Sequence, residues 1–279
     1  MANKIDRFLL ACGVIGAPLF LLSLFIFGTM FSGYNPLNEP ISQLGAVDSP
    51  VKTLANVLSF NLFGILIILF AVGLFRSSEL HLAGKIGAIF FFGAGVSMFL
   101  VGAFPCDALC TIATPTAHLH QKFSFYPFPI MTIGFLLFAF DVLANNKKLV
   151  WLVPIIITIG PLALGLRYFT SVWPPVLYPG LIQRAAIVSP FLIVMAIAMA
   201  LYRLQVGRGA IFFTISLVIL LMAVVGTVAG INSPDNKIPF LCPRNQNCDA
   251  YCQNSFGQCK AYCVKYPENP LCQKRFSFE

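Results

Sequence analysis

Runs of about twenty apolar residues recur along this chain, each closed by a short polar connector, and that repetition decides which solvent the chain folds in. A helix rising 1.5 Å per residue needs roughly 20 such residues to cross the ~30 Å hydrocarbon core of a bilayer. Seven stretches qualify: 8–31, 54–75, 86–104, 123–141, 149–166, 180–202 and 209–231. Pro154 and Pro161 interrupt the fifth, and both are tolerable where neighbouring helices satisfy the carbonyls they free. Only 10% of the residues are charged, against about 25% in a soluble domain, so the inventory cannot cover a water-facing surface. The expected fold class is all-α: a polytopic transmembrane helical bundle of seven spans, followed by a small disulfide-rich extracytoplasmic module.

Lys4 and Arg7 precede "LLAC", which ends at Cys12 and has the look of a lipoprotein cleavage box. The apolar stretch ahead of Cys12 is short for a leader core and the run continues past it, so the first run reads as a retained span. With the N-terminus cytoplasmic, the inner segments hold Lys4, Arg7, Arg76, Lys85, Lys147, Lys148, Arg203 and Arg208. The outer segments hold Lys52, Lys122, Arg167 and Arg184, the last three at or inside span ends. This bias follows the positive-inside rule and predicts an extracytoplasmic C-terminal tail. The net charge of +8 owes six cations to that tail. No basic groove with interleaved aromatics exists, so nucleic acid is excluded as a partner.

The composition changes after Gly230. The segments divide into a membrane domain (1–206), an added anchor span (207–231) and a polar tail (232–279) with six of the nine cysteines. These are Cys242, Cys248, Cys252, Cys259, Cys263 and Cys272, and an even count in a short outer segment reads as a disulfide framework. Cys248 and Cys252 are four apart, as are Cys259 and Cys263, so each pair lies on one face of a helical turn. Zinc is the rival reading of this spacing. The tail holds no histidine, and an oxidising compartment consumes thiolates, so disulfides are expected.

Three outer segments concentrate the polar groups. The first holds Asn35, Asn38, Glu39, Ser42 and Asp48; the second, "FPCDALCTIATPTAHLHQ", holds Asp107, His118 and His120; the third holds Arg167, Tyr178, Gln183 and Arg184. His118 and His120 are two apart, so on a helix they diverge by roughly 200° and only one faces a shared site. Arg184 falls within the first turns of the sixth run, where a charge is costly unless it pairs or snorkels. Asp107 or Glu39 is its expected partner. Cys106 and Cys110 repeat the four-residue spacing and either bridge locally, near the upper edge of disulfide geometry, or pair with the tail. Signatures for a serine hydrolase elbow, a zincin helix, a P-loop and a dinucleotide fold are all missing. A metal site drawn from Asp107, His118 and His120 needs a third ligand from another loop and a second shell, so no metal and no cofactor is expected.

"PISQLGAVDSP" after the first span, "GAFPCD" with a downstream histidine, and "GLIQR" opening the sixth span resemble the polytopic family called domain of unknown function 998. The resemblance covers residues 8–203. That family is distantly similar to the six-span DRAM/Frag-type membrane proteins, some of which are implicated in lipid remodelling or lipid-linked trafficking. The resemblance points to Pro40, Ser42, Leu44 and Gly45, to Pro105 and Asp107 with His118 (His120 as the alternative), and to Gly180, Gln183 and Arg184. The seventh span and the tail depart from the family pattern. The leading expectation is an outward polar site of Glu39, Ser42, Asp107, His118, Gln183 and Arg184 that binds a lipid or a partner. Membrane lipids, and an extracytoplasmic protein on the cysteine-rich tail, are the expected partners. The alternative is a lipid-modifying enzyme with Asp107 and His118 (or His120) as acid and base and Arg184 on a head group. A transporter built around the proline-broken fifth span is the lesser alternative.

Overall fold

The computed structural model describes residues 3–31, 34–110, 112–172 and 179–206. Tyr178, the seventh apolar run and the tail with Cys242, Cys248, Cys252, Cys259, Cys263 and Cys272 lie outside the described residues. So do the added anchor and the extracytoplasmic module.

Among the described residues every regular element is helical, as it must be where no water is present to satisfy an open backbone. Helix α1 is Lys4–Met30, and the Asn3 side chain accepts a hydrogen bond from the Ile5 amide at its start. Helix α2 (Lys52–Leu54) passes through a π-helical stretch, Ala55–Asn61, into α3 (Leu62–Arg76), so that Lys52–Arg76 is one rod. Then come α4 (Leu82–Ala103), α5 (Pro115–Phe125), α6 (Pro127–Asn145), α7 (Leu152–Val172) and α8 (Pro179–Val206). Five stretches are long and apolar enough to cross a bilayer, and α7 is a further apolar helix of 21 residues. Their outer faces are as apolar as their inner ones: Ile89, Phe140, Leu143 and Leu162 point away from the bundle, exposed. Helices hydrophobic all round, yet exposed, are built for lipid as the solvent.

Six helices pack as a closed ring. Each of α1, α3, α4, α6, α7 and α8 lies against the next in that order, and α8 returns to α1. Phenylalanine fills the interior. Phe20, Phe63 and Phe191 meet from α1, α3 and α8 at 4.2–5.4 Å between ring centroids. Phe70, Phe91 and Phe135 repeat the arrangement across α3, α4 and α6. Glycine sets how closely the backbones approach. Gly64 and Gly95 face each other across α3 and α4, and Gly87 and Gly134 across α4 and α6, with the Gly64, Gly95, Gly87 and Gly134 carbonyls filling the space a Cβ would need. Without a hydrophobic driving force between helices in lipid, such close contact is a main source of attraction.

Two expectations change. The fifth run does not break at its prolines: Pro154 falls in the first turn of α7, where its missing N–H has no helical acceptor to serve, and Pro161 sits inside a continuous helix reaching Val172. Arg167 is therefore a helical residue and not a connector. The polar stretch after α4 is also more ordered than a loop. A short 3-10 turn, Ala108–Cys110, leads to α5, which starts where the Thr114 hydroxyl caps the Ala117 amide and Pro115 takes the first helical position.

The two ends of the ring differ. At one, which we call the basic end, the connectors are short and tied: Arg76 pairs with Asp6 at 2.7 Å, Asp141 accepts from the His81 amide, Asn146 donates to Glu79, and Gln205 donates to Ser77. At the other, the loop-rich end, residues 34–51 and 104–110 form turns and short 3-10 segments. A valine at Gly95 would place its Cβ 2.9 Å from both the Gly64 carbonyl and the Ile68 amide. Gly95→Val is expected to lower the melting temperature in detergent by several degrees, whereas Gly165→Ala, with nothing within 4 Å, leaves it unchanged.

Candidate functional site

The loop-rich end is assembled around one guanidinium. The first residues after α1 form a tight turn: Asn35 accepts the Leu37 amide on its side chain, and its carbonyl accepts the Asn38 and Glu39 amides. Glu39 closes the turn by accepting the Asn35 amide at 2.9 Å. A 3-10 turn, Ile41–Gly45, follows. Arg184, one turn into α8, donates to the carbonyls of Pro36, Glu39 (2.9 Å) and Gly180 (3.0 Å) and to the Tyr34 hydroxyl. Its guanidinium also stands 5.6 Å from the Tyr34 ring centre. Gln183 accepts the Ile41 amide at 2.7 Å, and the Leu181 amide donates to the Leu37 carbonyl. Gly180 permits this approach, since a Cβ there would run into the carbonyl oxygens of Pro36 and Glu39.

Glu39, Gln183 and Arg184 are thus brought together, but the expected ion pair is replaced by something else. Arg184 reaches the Glu39 carbonyl and not its carboxylate. The physical reason is demand: a turn of irregular backbone presents carbonyls that no helix or strand satisfies, and a five-donor fork meets several at once. The carboxyl of Glu39 is buried, and burial pushes its pKa up to about 7 against the Asn35 amide, Arg184 and Gln43, while Asp48 pushes it further up.

Asp107 serves its own loop. Its carboxylate accepts the Ala113 and Thr114 amides, each at 2.8 Å, and the Thr114 hydroxyl at 2.7 Å. Partial desolvation raises its pKa, but the Thr114 hydroxyl, the two amides and the field of His118 outweigh it and hold the carboxyl below its usual range. None of its hydrogen bonds reaches Arg184 or His118. The histidines diverge as their spacing requires. His118 is exposed, while His120 is buried, with Nδ1 donating to the Phe104 carbonyl (2.7 Å) and the Val101 carbonyl (3.2 Å) at the end of α4. Its Nε2 is buried with no partner. The Cys106 and Cys110 sulfurs lie 2.03 Å apart, and the Cys106 carbonyl accepts the Val47 amide, which ties the second loop to the first.

Beneath these loops runs a crevice. Its polar lining is Ser42, Ser124, Arg167 and Gln183. Its apolar lining includes Phe20, Phe60, Met131, Ile187 and Phe191. Gln183 and Phe191 are eight residues apart on α8, so the apolar floor lies about 12 Å below the polar mouth. Arg167 crosses that mouth, 6.0 and 5.8 Å from the ring centres of Phe125 and Phe128 and 3.4 Å from the Ser124 hydroxyl. The free space is about 30 Å³, enough for a water molecule or two. Ser42 and Gln183 were legible as site residues. Arg167 was expected only as a cation at a span end, because the predicted run stopped at 166 and α7 continues to Val172. Tyr34 and Ser124 carried no signal. Among the described residues no three His, Cys, Asp or Glu side chains gather in metal-binding reach.

The chain belongs to the family described as "Protein of unknown function (DUF998)", whose family model matches residues 14–200. No curated protein and no solved structure matches the chain.

A carboxyl whose pKa is raised on folding favours the folded state fully below its unfolded value, and that contribution is lost as pH rises through the folded value. For Glu39 the window runs from about pH 4.5 to about 7. The melting temperature in detergent is expected to fall as pH rises from about 5 to about 8, and Glu39→Gln to flatten that part of the profile. A wild-type curve that rises across the window contradicts the assignment.

Proposed function

We propose that this multi-pass membrane protein holds a membrane lipid at its loop-rich end, with the acyl chain in the crevice and the polar head at Ser42, Gln183, Ser124 and Arg167. One observation carries this reading: a crevice among the spans with polar groups at its mouth and aromatic and aliphatic side chains below. That gradient matches a lipid, whose own polarity changes over the same distance. The small free volume makes the crevice a closed form, and a lipid enters as α7 separates from α5 and α6. The connector cations support placing the basic end in the cytoplasm and the loop-rich end outside. The tail then lies outside too, where its cysteines pair and where it offers a surface to a protein partner.

The enzymatic reading through Asp107, His118 and Arg184 gains less support. The Asp107 carboxylate already accepts three hydrogen bonds and Arg184 donates to four acceptors, all within the protein's own loops and α8. His118→Ala is therefore expected to leave the cellular lipid profile unchanged, and accumulation of an unprocessed lipid would restore the enzyme.

The test of binding uses the full chain in nanodiscs with a phospholipid carrying a diazirine on its acyl chain. Crosslinks are expected on peptides around Met131 and Ile187–Phe191, and Ile187→Trp should abolish them. Labelling confined to outward residues such as Ile89, Phe140 and Leu143 overturns the proposal. The same orientation predicts that Cys106 and Cys110 in intact cells react with a membrane-impermeant maleimide only after reduction. Labelling without reductant contradicts either the bridge or the sidedness.

A further inference from the structure

The basic end carries a second and wider concavity that the reading above does not use. It lies where the connector between α6 and α7 meets the last turns of α8, with a volume of about 310 Å³. Its floor is α8. Ala196 and Ala200 are four apart on one face and leave room between the flanking Met199 and Leu204. Its rim is cationic: Lys148 comes from the 3-10 turn Lys147–Leu149, and Arg203 from the last turn of α8. Trp151, just ahead of α7, stands exposed on the same rim.

The order of these groups along the helix is the informative point. From Ala196 to Arg203 the axis rises about 10 Å, so the small apolar floor lies deeper in the membrane than the two cations. Trp151 is of the residue type that settles at the headgroup boundary. Among the described residues, no carboxylate lines the groove. The groove therefore offers an acyl-sized channel between small side chains, an indole at the interfacial level, and two cations where a lipid phosphate would stand.

We infer that this groove binds an anionic glycerophospholipid of the leaflet at the basic end, its phosphate between Lys148 and Arg203 and one acyl chain along Ala196 and Ala200. Each cation near a membrane surface contributes about 1 kcal/mol toward anionic lipid, so the pair accounts for roughly a 30-fold preference.

The full chain purified in detergent provides the test, by native mass spectrometry with phosphatidylglycerol, phosphatidylcholine or inorganic phosphate added. Phosphatidylglycerol should be retained in preference to phosphatidylcholine, and inorganic phosphate should neither bind nor compete. Lys148→Gln with Arg203→Gln should reduce the preference by about 10- to 30-fold. Ala200→Leu fills the channel with both cations intact and should reduce retention of phosphatidylglycerol while the melting temperature in phosphatidylcholine stays at the wild-type value. Equal retention of the two lipids, a preference unaffected by the double substitution, or competition by inorganic phosphate overturns the site. So does a crosslinker placed by Trp151→benzoylphenylalanine that captures residues 209–231 in place of lipid, since the groove would then be filled by the chain itself. Failure here leaves the crevice at the opposite end untouched, because no residue is shared.

Discussion

The ring of spans closes where its first and last members meet, and at the loop-rich end that closure hangs on Arg184. The guanidinium is not half of an ion pair. It is a multiple donor for carbonyls that the first loop exposes where helix has ended and water is scarce. Remove those donors and the Pro36, Glu39 and Gly180 carbonyls lose a partner together, and the turn that positions Ser42 above the crevice is left on α8 by the Gln183 and Leu181 bonds alone. Hydrogen bonds to a charged group contribute about 1.5–3 kcal/mol each in proteins generally, which is ample to order a short loop. The neighbouring carboxyl, Glu39, is held by backbone and burial, so the cluster couples loop order to proton concentration without a salt bridge.

The architecture was largely legible because lipid leaves the backbone so few choices. Composition and run length predict seven spans; the structure describes the first six runs as helices, and the seventh lies outside the described residues. Their ends were less legible. The first α-helical turns of Pro115–Phe125 are polar, so a hydropathy reading left them in the connector, although Thr114 and Pro115 carried a capping signal. The fifth span was read as ending near 166, one residue short of Arg167, whereas α7 runs on to Val172. Prolines weaken a helix by what they fail to donate, and neighbours in a packed ring make up the difference.

The site was legible as a list of residues and not as a set of contacts. Glu39, Ser42, Gln183 and Arg184 were chosen for charge cost and resemblance, and they do cluster. Asp107 was chosen with them, yet its carboxylate is taken up by amides six and seven residues along its own loop. Nothing in a sequence distinguishes an acid facing a ligand from one facing its own backbone. The histidines show the opposite case. Their spacing alone required one to turn inward, but which one depended on where α5 began.

Glycine placement has a mechanical consequence. Close backbone contact joins α1 to α3 through Gly73, α3 to α4 through Gly64 and Gly95, and α4 to α6 through Gly87 and Gly134. Along α7 the glycines behave differently: Gly160 meets only the Phe135 side chain, and Gly165 meets nothing. Stiffness is therefore unequal around the ring. Four helices form a zipped slab, and α7, whose glycines make no close backbone contact, is the compliant member. The crevice lies against that compliant helix, so the work of widening it is concentrated in one element and the other five keep their register.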